Sequence, residues 1–129
     1  MALLNEYIDD LHSLQGADYA TYIENKILRR AVERTLHLAI EACLDIGQHI
    51  IASEGFRRPT SNRDVFVILA EEGILSRELL SRFVDMAAFR NLIVHDYARV
   101  DDDIIFGILK RRLGDFNAFA TAILTYLSR

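Results

Sequence analysis

A chain of 129 residues has room for one domain with a real core and is too short for two ordinary ones. Apolar residues make up 51% and charged residues 26%, which describes a soluble globular protein and excludes a disordered tail. The formal charge of −4 excludes a surface that binds nucleic acid all over, but a local basic cleft stays open, because Lys and Arg gather in Arg29-Arg30, Arg57-Arg58 and Lys110-Arg111-Arg112.

Apolar residues recur at helical spacing almost throughout, and no period-2 run survives. The first predicted helix covers about Leu3 to Leu14 and ends before Gly16. The second is long, about Asp18 to Ala52, and stops at Gly55 ahead of Arg57-Arg58-Pro59. Ser61 caps a short third helix that runs to about Glu72, with Gly73 as its stop. Ser76 opens a fourth, which frays near Tyr97. Asp101-Asp102-Asp103 supplies the cap and first-turn negative charge of a fifth, about Ile104 to Leu127. Short connections between these helices predict an all-α, up-and-down bundle of about five helices, a single domain over residues 1–129. Residues 1–22 form an N-terminal helix whose role the sequence leaves open.

The single cysteine, Cys43, has no partner for an internal disulfide and lies in an apolar helical pattern, so it reads as a small core residue in a reducing compartment. The N-terminus lacks a basic-then-apolar leader, and no apolar run approaches the ~20 residues that span a bilayer. The expected location is cytoplasmic, with no membrane partner.

On the long second helix, Arg30, Arg34, His37, Glu41, Asp45 and Gln48 fall within about 80° of one another, opposite Val32, Leu36, Ala39, Cys43, Ile46 and Ile50. Two readings are open. The stripe is a solvated face, or its acidic half, Glu41 and Asp45, meets an arginine from another helix and fixes its orientation.

That arginine is Arg90, in the stretch Arg90-Asn91-Leu92-Ile93-Val94-His95-Asp96-Tyr97. Met86-Ala87-Ala88-Phe89 before it and Leu92-Ile93-Val94 within it read as core. A permanent charge and a titratable ring do not belong in a core without partners. They either satisfy acids elsewhere in the fold or face a cleft that binds an anion, and we read the second, with RNA as the anion. On an ideal helix Arg90 and Tyr97 share a face, while His95 lies about 140° from Arg90 and one turn after Asn91, whose amide is placed to hold the ring. Metal-free RNA cleavage needs a base for the 2′-hydroxyl proton and a cation for the phosphorane. Imidazole suits the first task and a guanidinium fork the second. One such pair per chain is a thin site, and a two-fold dimer would double it.

Other chemistries find no support in the spacing. His12, His37, His49 and His95 show no His-x3-His pattern, so no metal site is expected, and no Gly-rich phosphate loop or Gly-x-Ser-x-Gly elbow is present. Residue physics alone describes a helical bundle with one polar cluster in apolar surroundings.

The same residues resemble the signature of the HEPN superfamily, and within it of the HepT-like toxins. Arg90-Asn91-x3-His95-x-Tyr97 is similar to the pattern Arg-x4-His-x-Tyr at every specified position. Further blocks in the same order resemble the family: Arg30-Ala31-Val32-x2-Thr35-Leu36, Ala39 to Ile46, Ser61-Asn62-Arg63-Asp64, Leu79 to His95, and Asp102 to Phe119. The resemblance runs from about Ile23 to Leu127 and does not reach Met1 to Tyr22. It implies a HEPN-like bundle that forms homodimers or higher even-numbered oligomers, and a metal-independent endoribonuclease without cofactor that cleaves RNA, in particular tRNA. Arg90, His95 and Asn91 would be the catalytic residues, with Arg90 and His95 of both protomers lining a dimer cleft; the helix geometry above adds Glu41 and Asp45 as the acids behind Arg90. The resemblance also implies a partner, an MntA-type nucleotidyltransferase antitoxin that transfers AMP to Tyr97 and silences the nuclease. The alternative is a non-catalytic, nucleotide- or substrate-binding partner subunit of a minimal nucleotidyltransferase. A third reading is a dimeric scaffold in which Arg90 merely pairs with Glu41 or Asp45.

Overall fold

The computed structural model describes all 129 residues except for the side chain of Tyr97. Seven α-helices follow one another: α1 (Ala2–Leu14), α2 (Tyr19–Glu24), α3 (Lys26–Glu54), α4 (Asn62–Glu71), α5 (Arg77–His95), α6 (Asp102–Arg111) and α7 (Leu113–Leu127). A single 3-10 turn, Tyr97–Arg99, joins α5 to α6, and no strand occurs among the described residues. The all-α bundle is as expected, and the helix stops at Gly55 and Gly73 fall where the sequence puts them. Both glycines adopt the left-handed conformation, with φ of 71° and 74°. Ser61 and Ser76 accept from the backbone N–H groups of Asp64 and Leu79, as N-caps do.

Two expected helices are each broken in two. The long second helix is interrupted at Asn25, whose extended backbone ends α2 and whose side chain accepts from the Leu28 N–H to start α3. The side-chain amide competes with the helix for a backbone donor. The break turns α2 across α6, so that the buried Tyr22 ring packs 5.1 Å from Phe106 and Tyr19 packs edge-on at 5.3 Å. The expected last helix is interrupted at Arg112 (φ −117°, ψ 2°), whose Nε donates to the buried carboxylate of Asp115. Arg82 of α5 donates to the other oxygen of the same carboxylate at 2.7 Å. A buried carboxylate needs such donors, and the two arginines tie α5 to the α6–α7 corner.

The core sits where the apolar faces converge. Phe66 of α4, Phe83 of α5 and Phe116 and Phe119 of α7 are fully buried, with ring centroids 5.0–6.1 Å apart. Such aromatic pairs contribute roughly 0.5–1.5 kcal/mol each beyond their buried area. Phe83 thereby fixes the first half of α5 between α4 and α7, and the second half runs out along α3. Cys43 is fully buried on the core face of α3, and burial pushes its thiol well above the usual range.

Gly47 marks the tightest approach of α3 to α4. A Cβ there would stand 2.7 Å from Val65 Cγ1 and 3.2 Å from Leu69 Cδ1. Val65 is fully buried and β-branched, so its methyl group has nowhere to swing. Alanine would gain about 1 kcal/mol of helix propensity, but overpacking costs about 1–3 kcal/mol. Gly47→Ala should therefore unfold at a lower urea concentration than the parent, and adding Val65→Ala should recover part of the loss. A midpoint at or above the parent's would mean that α4 yields without cost.

Candidate active site

α5 is a regular helix through His95 and ends at Asp96, whose backbone (φ −147°, ψ 56°) leaves the helical region while its N–H still donates to Leu92 O. The first half of α5 is clamped by Phe83 and Arg82, and its last turns pass α7 and lie beside α3. Leu92 and Ile93 are therefore half-buried and Val94 is 43% exposed, where the sequence predicted core. The reason is geometric: the apolar run continues beyond the helices that would cover it.

Arg90 projects from α5 onto α3. Its Nε donates to Glu41 Oε1 in a close ion pair, and its Nη1 donates to Asn91 Oδ1 at 3.2 Å. The guanidinium side chain is 20% exposed. Among the described residues its Nη2 makes no hydrogen bond. Of the two acids proposed behind Arg90, Glu41 is brought to it and Asp45 is not. Asp45 is exposed and lies about 6 Å further along α3, past the level at which α5 crosses.

Asn91 differs from its expected role. Its Oδ1 accepts from Arg90 and, at 3.4 Å, from Asn62 Nδ2 at the start of α4; it makes no hydrogen bond to His95 among the described residues. The charge-assisted bond to the adjacent guanidinium outcompetes an imidazole one turn away. His95 is exposed on the last turn of α5. Because the helix is unbroken from Arg90 to His95, the two side chains leave it about 140° apart and about 7.5 Å apart along the axis. A single chain thus presents Arg90 towards α3 and His95 away from it.

Tyr97 does not continue α5 as expected from the seven-residue spacing, because Asp96 breaks the helix first. Its backbone opens the 3-10 turn, which is tied down by Arg99 donating its backbone N–H and its guanidinium to Asp96. The Tyr97 side chain, the expected modification site, lies outside the described residues.

Sequence reasoning left His37 as one residue of a stripe, and the structure gives it a place in the site. Its Nε2 lies 3.3 Å from Glu41 Oε1, on the carboxylate oxygen that holds Arg90, and its Nδ1 lies 3.4 Å from Arg34 Nη1. Since Arg34 can only donate, Nδ1 is the bare nitrogen and Nε2–H is left for Glu41. The His37/Glu41 spacing of four was a visible signal, whereas the contribution of Asn62 had none.

The basic clusters that stand out in the sequence are largely spent within the fold. Arg57 donates twice to Asp64, at 2.7 and 2.8 Å, and twice to Glu71, and its guanidinium holds the Asp64 carboxyl well below the usual range. Arg29 pairs with Asp102, Lys110 donates to Gln15 O, and Arg112 is bound to Asp115. Among the described residues no three His, Cys, Asp or Glu side chains gather as metal ligands. No helix is long and apolar enough to cross a membrane.

The model of the ribonuclease HepT-like family matches residues 4–123. The match thus takes in the N-terminal helix, for which the sequence offered no resemblance. The chain is similar to the mRNA nuclease HepT of Shewanella oneidensis, with 29% identity over 95% of this chain and 92% of that protein. It is also similar to the tRNA nuclease HepT of Aphanizomenon flos-aquae, with 25% identity over 98% of this chain and 86% of the relative. Among solved structures, the tri-AMPylated Shewanella oneidensis HEPN toxin in complex with its MNT antitoxin superposes with a TM-score of 0.88, at 29% identity over 96% of this chain and 92% of that one.

Proposed function

The chain belongs to the ribonuclease HepT-like family, and from that premise we propose that it is an endoribonuclease, the toxin half of a toxin–antitoxin pair silenced by AMPylation. Its partners are RNA and an MntA-type nucleotidyltransferase antitoxin. The two named relatives divide between mRNA and tRNA as target; tRNA is our expectation here.

His95 takes the proton of a 2′-hydroxyl, which attacks the adjacent phosphorus. Arg90 neutralises the phosphorane through the N–H donors that Glu41 and Asn91 do not hold, and the 5′-oxygen leaves with a proton from a second imidazole. The second imidazole comes from another copy of this chain across a two-fold axis, so the working unit is a homodimer or a larger even-numbered assembly. One observation carries this reading: the regular α5 helix points Arg90 and His95 about 140° apart. A symmetric copy supplies the missing group without bending the helix. Val94, exposed and apolar beside His95, suits burial in such a seam.

Glu41 and Asn91 act as positioning residues in this scheme. Each binds Arg90 on a different nitrogen, which leaves the fork one orientation. Their engagement of Arg90 is also what a purely structural ion pair would look like, and the Nη2 that neither of them holds favours a phosphate partner.

Cleavage in EDTA tests the reading. Purified protein, freed of AMP, should cut RNA without divalent metal and leave 2′,3′-cyclic phosphate ends, because the internal 2′-oxygen is the nucleophile. Activity that vanishes in EDTA and returns with Mg²⁺ would sink the mechanism. ATP binding with no RNA cleavage would favour the nucleotide-binding subunit instead.

A further inference from the structure

Beside the motif lies a cleft that the proposed chemistry does not use. It has a volume of about 360 Å³ and is lined by Arg30, Glu33, Arg34 and His37 of α3 and by Ile93 of α5. These α3 residues belong to the stripe that could equally have been a solvated face. Arg34 is exposed, and its hydrogen bond among the described residues is to a ring nitrogen of His37 and not to a carboxylate. This contrasts with Arg29, Arg57 and Arg112, whose charges are met by carboxylates.

The cleft is also wired to the motif. Arg34, His37, Glu41 and Arg90 form a continuous hydrogen-bonded chain along one face of α3. Arg34 lies about 10 Å along that helix from Glu41, so a nucleic-acid strand crossing Arg90 reaches the cleft within a few nucleotides. Its lining suits a nucleotide: the exposed guanidinium of Arg34 for a phosphate and the half-buried Ile93 for the face of a base.

We infer that the α3 cleft is a subsite for the RNA strand flanking the scissile phosphate, with Arg34 as its principal phosphate contact. This rests on the ribonuclease reading above but is measured separately from it, by binding. The probe is a fluorescein-labelled tRNA transcript, bound to protein carrying His95→Ala so that it is not consumed, with anisotropy followed over a range of KCl concentrations. Adding Arg34→Gln should weaken binding about tenfold, the worth of one charged hydrogen bond. It should also reduce the salt slope by about 0.7–0.9, the loss of one phosphate contact. Arg34→Lys should keep the slope, since it keeps the charge. Arg77→Gln, which removes an equal charge roughly 25 Å away at the other end of α5, should change neither.

An unchanged slope in folded Arg34→Gln protein overturns the inference, and so does a slope lost equally in Arg77→Gln. Weaker binding of the nucleotidyltransferase with the RNA slope intact would reassign the cleft to that protein and likewise overturn it. If wild-type protein proves unable to cut RNA while Arg34→Gln still costs a phosphate contact, the cleavage mechanism falls and the subsite stands.

Discussion

His95→Ala should reduce RNA cleavage by about 10²–10⁴-fold while leaving the protein folded and able to bind RNA. The magnitude is that of a lost general acid–base group. Folding should be untouched, because the ring is exposed at the last turn of α5 and makes no hydrogen bond among the described residues. Arg90→Ala should be at least as damaging to cleavage, but it also leaves Glu41 without its ion-pair partner, so its stability must be measured alongside. His95→Ala also tests the composite site. Because the mechanism draws one imidazole from each copy, subunit exchange of wild-type with His95→Ala protein should lower the activity below that of the wild-type fraction alone. A His95→Ala protein that cuts at the wild-type rate, free of contaminating nuclease, removes the imidazole from the mechanism. Mixtures whose activity simply tracks the wild-type fraction after verified exchange would argue that each chain works on its own.

The second large effect concerns Tyr97. Co-expression with an MntA-type nucleotidyltransferase should add one or more AMP units to the wild-type chain, seen by intact mass, and abolish its cleavage of RNA. In that reaction the Tyr97 phenol oxygen would attack the α-phosphorus of ATP, giving up its proton as pyrophosphate leaves. The new phosphodiester would place negative charge and a bulky base two residues past His95, repelling the RNA phosphate that Arg90 would bind. The backbone of Tyr97 lies on a short turn outside α5, and Ala98 and Arg99 after it are exposed. Tyr97→Phe should show no added mass and should remain an active nuclease, toxic in the presence of the transferase. AMP found on another residue of the active chain, or silencing that survives Tyr97→Phe, would move the control point elsewhere.

The sequence carried most of the helix ends. Gly55, Gly73, Ser61, Ser76 and Asp101 act within one turn of their own position, and each stands where its local chemistry implied. Asn25 is a cap of the same kind, but apolar periodicity continues on both sides of it, so the sequence reads as one helix where the structure has two. The break at Arg112 was less accessible, because it depends on Asp115 being buried and receiving Arg82 from another helix. Within the site, the motif fixed which residues could do chemistry but not what they touch. Asn91 turns to Arg90 and Asn62 rather than to His95, and Asp45 stands clear of the pair.

Read alone, the chain determined its class, its helix caps, its motif and its family, because these are set by residue types and spacings that act over a few positions. Tertiary packing decided the rest. It selected Glu41 over Asp45 for Arg90, joined Arg90 to the local Arg34–His37–Glu41 run of α3, and left Val94 and His95 exposed. Those choices depend on how whole helices pack, as where the Phe83 ring of α5 meets Phe66 of α4 and Phe119 of α7, and no local run of residues encodes that.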